Sequence, residues 1–228
     1  LFVEVADPRR LSPAERGALL ERVARCNMAL YALRDPGFPG REAARAIGRQ
    51  LGLERLDGNL CADGDGISAL QVREAGSLQE GYIPYTDRPL NWHTDGYYNP
   101  PERRIRGMLL HCERPAAEGG GSLLLDHEMA FLLLREAGPE LVAALMAPDA
   151  MTVPPNVRGG VELRPACTGP VFAVDPATGR LHMRYTARGR NIRWKRDPLV
   201  EEARRRLGDI LAESEDVLRP RLERGQGL

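Results

Sequence analysis

Short apolar runs that lie between capped helices constrain the fold of this chain more than any other feature. Each run has the length of a β-strand, and its residues either alternate between apolar and polar or are all apolar. Strands are predicted at 1–5, 28–33, 67–73, 104–114, 122–125, 171–174 and 181–185. Helices are predicted at 12–26, 41–51, 126–137, 141–146 and 198–213. Periodicity alone therefore predicts an α+β fold with many short strands.

Local signals support several of these boundaries. Ser12 and Glu15 have the spacing of a capping box, and Pro13 occupies the first helical position between them. Asp126 precedes an apolar stripe and can cap the helix that starts after it. The turn residues at 176–179 separate two apolar runs, which predicts a β-hairpin.

Composition excludes several classes of function. The 228 residues suit one domain, and Lys+Arg and Asp+Glu are equal at 32 each, so no basic surface indicates a nucleic-acid partner. No apolar run reaches the ~18 residues of a membrane span, so no membrane partner is expected. The four cysteines, at 26, 61, 112 and 167, have no CxxC spacing. Isolated thiols suit a reducing compartment, so we expect a cytoplasmic protein.

The sequence His93-Thr94-Asp95 carries the strongest chemical signal. In an extended segment, residues two apart point to the same side, so the imidazole and the carboxylate can meet at one ion. Together they supply two of the three ligands in a 2-His-1-carboxylate triad, which leaves coordination positions of non-haem Fe(II) open. His93 and Asp95 are therefore the predicted metal ligands and catalytic residues.

A longer ordered motif surrounds this pair. From Trp92 to Ser122 the chain reads WHTDGYYNPPERRIRGMLLHCERPAAEGGGS. This stretch resembles the taurine/2-oxoglutarate dioxygenase (TauD/TfdA-like) family, in which Trp-His-x-Asp is followed by two prolines, an apolar strand and a Gly-Gly-x-Thr or Gly-Gly-x-Ser sequence. The resemblance is strongest over residues 84–126.

The resemblance implies a fold, cofactors and an activity. The fold would be a double-stranded β-helix (jelly-roll) core with flanking helices. The cofactors would be Fe(II) and 2-oxoglutarate, and the partners would be O₂ and a small-molecule substrate, which the enzyme hydroxylates or oxidatively cleaves. A carboxylate at Asp95 implies hydroxylation or a related oxidation rather than halogenation. Ser122 matches the family hydroxyl that helps to bind 2-oxoglutarate, and a homo-oligomer is compatible with the class.

The third metal ligand is less clearly marked in the sequence. In this family a distal histidine, followed by an arginine for 2-oxoglutarate, lies on a late strand. His182 precedes Arg193 and is the alternative ligand within the chain, whereas His111 and His127 suit structural positions better. Residues 224–228 resemble the turn and strand start before the distal histidine. The preferred prediction therefore places the third ligand beyond Leu228, in a single domain, 1–228, that lacks its C-terminal strands.

Candidate substrate contacts flank the motif and a later basic segment. Asn91 and Tyr97 lie beside the predicted ligands, and Arg184 and Arg190 lie in the segment HMRYTARGRNIRW. A guanidinium can bind a carboxylate, sulfonate or phosphate through two hydrogen bonds. A solvated strand edge and loop is the alternative interpretation of this segment.

Two further functions compete with the dioxygenase. One is a non-catalytic jelly-roll protein that binds a small molecule but has lost the distal histidine or the arginine. The other is a cupin-like metal enzyme that does not use 2-oxoglutarate. Cupin-like sites usually have several histidines close together, and the sequence around His93 does not provide them.

Overall fold

The computed structural model describes residues 1–58, 63–73, 82–190 and 192–228. The chain divides into two compact units, each with its own apolar core. The first unit contains Leu1–Leu90, Arg106–Leu123 and Arg219–Leu228. The second contains Asn91–Ile105 and Leu124–Leu218. Helices and short strands occur in both units, which confirms the predicted α+β class.

The first unit is built on a small mixed sheet. Its strand order is β1 (Phe2–Val5), β2 (Leu30–Leu33) and β10 (Gln226–Gly227), with β1 parallel and β10 antiparallel to β2. Main-chain hydrogen bonds from Leu110 and Cys112 extend the sheet beyond β10. The core between this sheet and the helices includes the fully buried Leu19, Tyr31 and Ile47. Its elements are β1 (Phe2–Val5), α1 (Pro13–Cys26), β2 (Leu30–Leu33), α2 (Gly40–Gln50) and β10 (Gln226–Gly227), with a 3₁₀ helix at Ile83–Tyr85.

Helix α1 begins where its capping signal predicts. The Ser12 hydroxyl accepts a hydrogen bond from the Glu15 amide at 3.2 Å, and the Glu15 carboxylate accepts one from the Ser12 amide at 2.6 Å. These two bonds satisfy amide groups that the first helical turn leaves without partners. The helix ends at Cys26 and is capped by Asn27, whose φ of 54° places it in the left-handed region.

The second unit packs three helices against short strands. Helix α5 buries Val200, Ala203, Leu207 and Leu211, whose spacing places them on one helical face. The strands form a sheet of order β6-β3-β9 and the hairpins β4-β5 and β7-β8. Its elements are a 3₁₀ helix (Pro101–Arg103), α3 (His127–Ala137), α4 (Pro139–Leu145), β3 (Met151–Val153), β4 (Asn156–Arg158), β5 (Val161–Arg164), β6 (Cys167–Gly169), β7 (Phe172–Val174), β8 (Leu181–Met183), β9 (Arg193–Trp194) and α5 (Pro198–Glu213).

Several predicted elements are confirmed and others are wrong. All five helices and the β7-β8 hairpin form within a few residues of their predicted positions. Residues 67–73 form no strand, and the predicted strand at 104–114 is reduced to one bridge at His111. The strand at 122–125 is likewise replaced by isolated bridges at Gly121 and Leu124. Strands β3 to β6 and β9, of two to four residues each, were not predicted; the equally short β7 and β8 were predicted with the help of the turn between them.

The structure describes three of the four cysteines and the helices that were considered for membrane association. Cys26, Cys112 and Cys167 are free thiols, while Cys61 lies outside the described residues. Within the ranges that the structure describes, no helix combines the length and hydropathy that a bilayer span requires.

Candidate functional site

The predicted extended segment is confirmed as far as Thr94, and a turn begins at Asp95. The Thr94 amide donates to the Tyr185 carbonyl at 3.0 Å, and the Ala187 amide donates to the Trp92 carbonyl at 2.8 Å. His93 and Thr186 form an antiparallel bridge between these bonds. Exposure alternates along the segment, with His93 and Asp95 exposed and Trp92 packed against the core. The two predicted ligands therefore share the outer side of the segment.

The main chain fixes the tautomer of His93. Its Nδ1 atom lies 2.7 Å from the carbonyl oxygen of Asn91. A carbonyl can only accept a hydrogen bond, so Nδ1 carries the proton and donates it. The neutral ring consequently keeps its lone pair on Nε2, which is the form that binds a metal.

The two predicted ligands are close enough to share one ion. His93 Nε2 and Asp95 Oδ1 are 3.7 Å apart, and the side chains are 32% and 45% exposed. An ion about 2.1 Å from each ligand can contact both atoms when they are less than about 4.2 Å apart. One nitrogen and one oxygen donor suit Fe(II), and the exposure leaves room for further ligands.

A tight turn follows Asp95 and requires glycine at position 96. Gly96 has a φ of +64°, and the Asn99 amide donates to its carbonyl at 2.7 Å. A Cβ atom at this position would lie 2.3 Å from Cγ1 of Ile105. Backbone conformation and side-chain packing therefore both exclude a larger residue directly beside the carboxylate.

Arg184 is buried, and backbone carbonyls occupy all its donors. Its guanidinium bonds to oxygens of five residues, at distances of 2.5–3.5 Å. Burial lowers the pKa of this guanidinium from its ordinary value. The N–H groups that a substrate anion would need are thus already bound to protein, so this geometry favours a role in holding the main chain. The predicted substrate contact stays a prediction.

The other candidate substrate residues lie at or near the surface. Arg188 Nη1 donates to the Tyr97 hydroxyl at 3.2 Å, and the Tyr97 ring makes an edge contact with Tyr98. Arg190 and Asn91 are exposed. Asn91 acts on the site through its carbonyl, as the His93 bond shows, and the substrate roles of Asn91, Tyr97 and Arg190 stay predictions.

A small cavity lies beside the metal motif within the second unit. Its volume is about 30 Å³, and its walls include Thr94, Asp95, His182 and Arg184. A bound water molecule needs about 10–15 Å³ of such space, whereas small-molecule sites occupy about 300–1,000 Å³. The cavity is therefore too small to be a pocket for 2-oxoglutarate or for a substrate.

The other histidines have separate surroundings. His111 Nδ1 lies 2.9 Å from the Tyr31 hydroxyl, and the two rings are stacked. His127 donates from Nε2 to the Leu181 carbonyl at 3.0 Å, which gives it a structural role near the start of α3. His182 is half-buried on β8. Among the residues that the structure describes, no three His, Cys, Asp or Glu side chains form a metal-binding group, so His182 does not join His93 and Asp95 in one.

Ser122 belongs to the first unit. Its amide donates to the Pro220 carbonyl at 2.8 Å, next to a bridge between Gly121 and Arg221. This pairing holds the main chain at the C-terminal end of the glycine-rich turn. The proposed contact of its hydroxyl with 2-oxoglutarate stays a prediction.

Sequence reasoning missed the role of Thr94. Its hydroxyl accepts a hydrogen bond from the Tyr185 amide at 3.0 Å, so both its main chain and its side chain bind the neighbouring segment. Burial also raises the pKa of the Tyr185 hydroxyl, which favours its neutral form. The only available signal was a hydroxyl residue between two ligands, and its partner lies 91 residues away.

Comparison with known proteins places these observations in a family. The model of the family described as "Taurine catabolism dioxygenase TauD, TfdA family" matches residues 3–228. A uridine-5'-phosphate dioxygenase from Amycolatopsis sp. is 36% identical over 95 residues, which cover 42% of this chain and 33% of that protein. The aligned part thus spans a third of the curated relative.

A solved structure shows the same fold. Asparagine oxygenase, in a complex with Fe(II), 2S,3S-3-hydroxyasparagine and succinate, matches with a TM-score of 0.63. The match covers 95% of this chain and 70% of the other, and sequence identity is 18%. At this identity the likeness concerns the fold.

Proposed function

This chain belongs to the taurine catabolism dioxygenase TauD, TfdA family, and from that premise we propose that it is an Fe(II)- and 2-oxoglutarate-dependent dioxygenase of a small molecule. The proposal rests on one observation above all: His93 Nε2 and Asp95 Oδ1 lie 3.7 Å apart, and both side chains are exposed. We further propose that the jelly-roll fold of the class surrounds this pair, as the likeness to asparagine oxygenase supports.

Four of the predicted residues have a defined part in this proposal. His93 and Asp95 would hold the iron, and the Asn91 carbonyl keeps the imidazole in its metal-binding tautomer. Ser122 would donate a hydrogen bond to 2-oxoglutarate. When bound, iron and 2-oxoglutarate supply the O₂ activation that protein side chains cannot. The third ligand is proposed to be a histidine C-terminal to Leu228.

The test measures iron binding and succinate formation by the full-length protein. Wild type supplied with Fe(II), 2-oxoglutarate and O₂ is compared with His93→Ala and Asp95→Ala. We expect each substitution to reduce succinate formation at least ~100-fold, because outer-shell changes alone cost ~10–100-fold. Ser122→Ala should raise the KM for 2-oxoglutarate ~10-fold, which is the effect of losing a hydrogen bond to a charged group.

Matched controls distinguish the loss of a metal ligand from the loss of a carboxylate charge or an imidazole ring elsewhere in the protein. His127→Gln replaces a histidine that bonds to a carbonyl, and Asp149→Asn replaces an exposed carboxylate that pairs with Lys195. Both controls should keep succinate formation within about twofold of wild type. Iron binding without succinate formation would support the non-catalytic binding protein instead. Iron binding that survives both ligand substitutions would show that the site is elsewhere.

A further inference from the structure

Arg184 combines a buried charge with complete hydrogen bonding. The residue is 8% exposed, and a guanidinium has five N–H groups. Nε donates to the Pro170 carbonyl at 3.3 Å, Nη1 to those of Tyr97 and Cys167 at 3.2 and 3.5 Å, and Nη2 to those of Met151 and Gly169 at 2.5 and 2.9 Å. Five donors thus meet five carbonyl oxygens.

Burying this cation is costly for the fold. An ion that leaves water loses its hydration, and among the described residues no carboxylate forms an ion pair with Arg184 to compensate. An apolar side chain would fill the same space without this cost. The presence of an arginine at this buried position is therefore better explained by the carbonyl groups that its donors bind than by packing.

The carbonyls come from separate parts of the second unit. Met151 is in β3, Cys167 and Gly169 are in β6, and Tyr97 is in the turn directly after Asp95. Of these groups, only the Tyr97 carbonyl belongs to the segment that carries the candidate metal ligands. The guanidinium thereby ties that turn to the sheet.

The main chain next to Arg184 holds the other side of the same carboxylate. Tyr185, the following residue, accepts from the Thr94 amide and donates to the Thr94 hydroxyl, both at 3.0 Å. Asp95 accordingly lies between two anchored residues, Thr94 before it and Tyr97 after it. One short segment, 184–185, supplies both anchors.

We propose that Arg184 is a positioning residue, which fixes the Asp95 carboxylate by holding the turn that follows it and contacts neither metal nor substrate. The identity of Asp95 as a ligand rests on the proposed function. The geometry of the anchor is independent of it. Lysine cannot replace this arginine, since its ammonium has three donors at a single point and cannot reach carbonyls on separate segments.

The first experiment measures the anchor without any metal. Amide hydrogen exchange is followed at Thr94 and Asn99 in the full-length protein, because both amides bond across or within the segment. We expect Arg184→Lys to accelerate exchange at these amides about tenfold or more. Leu207→Ala is the control, since it opens a cavity under a fully buried α5 residue and leaves the guanidinium contacts unchanged. It should destabilise the unit without singling out these two amides.

The second experiment measures metal affinity, with Co(II) as a spectroscopic probe. Visible absorption titrations compare wild type, Arg184→Lys and Leu207→Ala well below their melting temperatures. Arg184→Lys should weaken Co(II) binding ~10–100-fold, as residues that orient a ligand do. Leu207→Ala should stay within about twofold of wild type. Equal affinity in Arg184→Lys and wild type, or an equal loss in both variants, would overturn the proposal.

A further pair of variants separates failure of this proposal from failure of the proposed function. If His93→Ala and Asp95→Ala leave Co(II) affinity unchanged, the metal site is wrong and so is the role of Arg184 toward it. If they abolish binding while Arg184→Lys changes neither affinity nor exchange, the site stands and only the positioning role fails.

Discussion

Replacement of Gly96 by alanine tests how tightly the turn beside Asp95 is specified. Gly96 has a φ of +64°, which side chains disfavour. The added Cβ would lie 2.3 Å from Cγ1 of Ile105 and 3.0 Å from Nδ2 of Asn99. Real Cβ atoms do not approach a carbon at that distance, so the turn or Ile105 must move. The substitution therefore adds two separate costs.

The free energy of unfolding should fall by the sum of these costs. The left-handed conformation costs an L-residue about 1–2 kcal/mol. Overpacking against a neighbour costs about 1–3 kcal/mol. We expect Gly96→Ala to destabilise the protein by about 2–5 kcal/mol in total, and the displaced turn should also weaken metal binding.

Urea unfolding, followed by circular dichroism, can separate the two costs. Gly179 is the matched control, because its φ is +69° and a Cβ there would meet nothing within 4 Å. Gly179→Ala should therefore cost only the conformational part, about 1–2 kcal/mol. In a double-mutant cycle, Ile105→Ala removes the clashing Cγ1, so the pair should couple favourably by about 1–3 kcal/mol.

Two outcomes would refute this reasoning. One is a loss for Gly96→Ala no larger than that for Gly179→Ala, which would mean that the contact with Ile105 relaxes freely. The other is strict additivity of the Gly96 and Ile105 substitutions, which would mean that the two residues do not oppose each other.

Two further substitutions test single interactions. Thr94→Val keeps the side-chain shape but leaves the Tyr185 amide without its acceptor. Urea unfolding should therefore show that the free energy of unfolding falls by about 1–3 kcal/mol. An unchanged unfolding midpoint would mean that the amide finds another partner. Burial lowers the pKa of His111 below its ordinary value of 6.5, so the unfolded chain binds a proton that the folded chain does not. The stability that neutral His111 provides is therefore present above pH ~6.5 and declines as the pH falls below it. Melting temperatures across this range should decline less for His111→Asn than for wild type, and equal declines would contradict the assignment.

Local signals made the helices predictable. Ser12 and Glu15 identify the start of α1, and Asp126 identifies the start of α3, because each cap acts within three residues of itself. The turn that ends at Gly179 likewise predicted the β7-β8 hairpin, because it directly connects the two strands. Each of these signals and its structural effect lie in one short segment.

The placement of His93 and Asp95 was predictable, but the contacts that hold their segment were not. Alternation placed His93 and Asp95 on one side of an extended segment, and the observed exposure agrees with that placement. The role of Arg184 depends on carbonyls from β3, β6 and the Tyr97 turn, which meet only in the folded chain. An arginine that binds backbone carbonyls requires no particular side chains in its partners. The sequence alone therefore does not distinguish it from an arginine that binds substrate.

Distant pairing also explains the errors among the strands. The apolar alternation at 104–114 predicted a full strand, whereas the observed strand pairing is one bridge at His111, flanked by main-chain hydrogen bonds of Leu110 and Cys112 with the C-terminal segment more than a hundred residues later. Strands β3 and β9 are three and two residues long, and their pairing sets their conformation more than their composition does.

The bond between His93 and the carbonyl of Asn91 has a practical consequence for protein engineering. Every amino acid carries that oxygen, so the imidazole receives its orientation whatever side chain stands at position 91. Substitution at position 91 should therefore leave the ring two residues away with its proton on the same nitrogen.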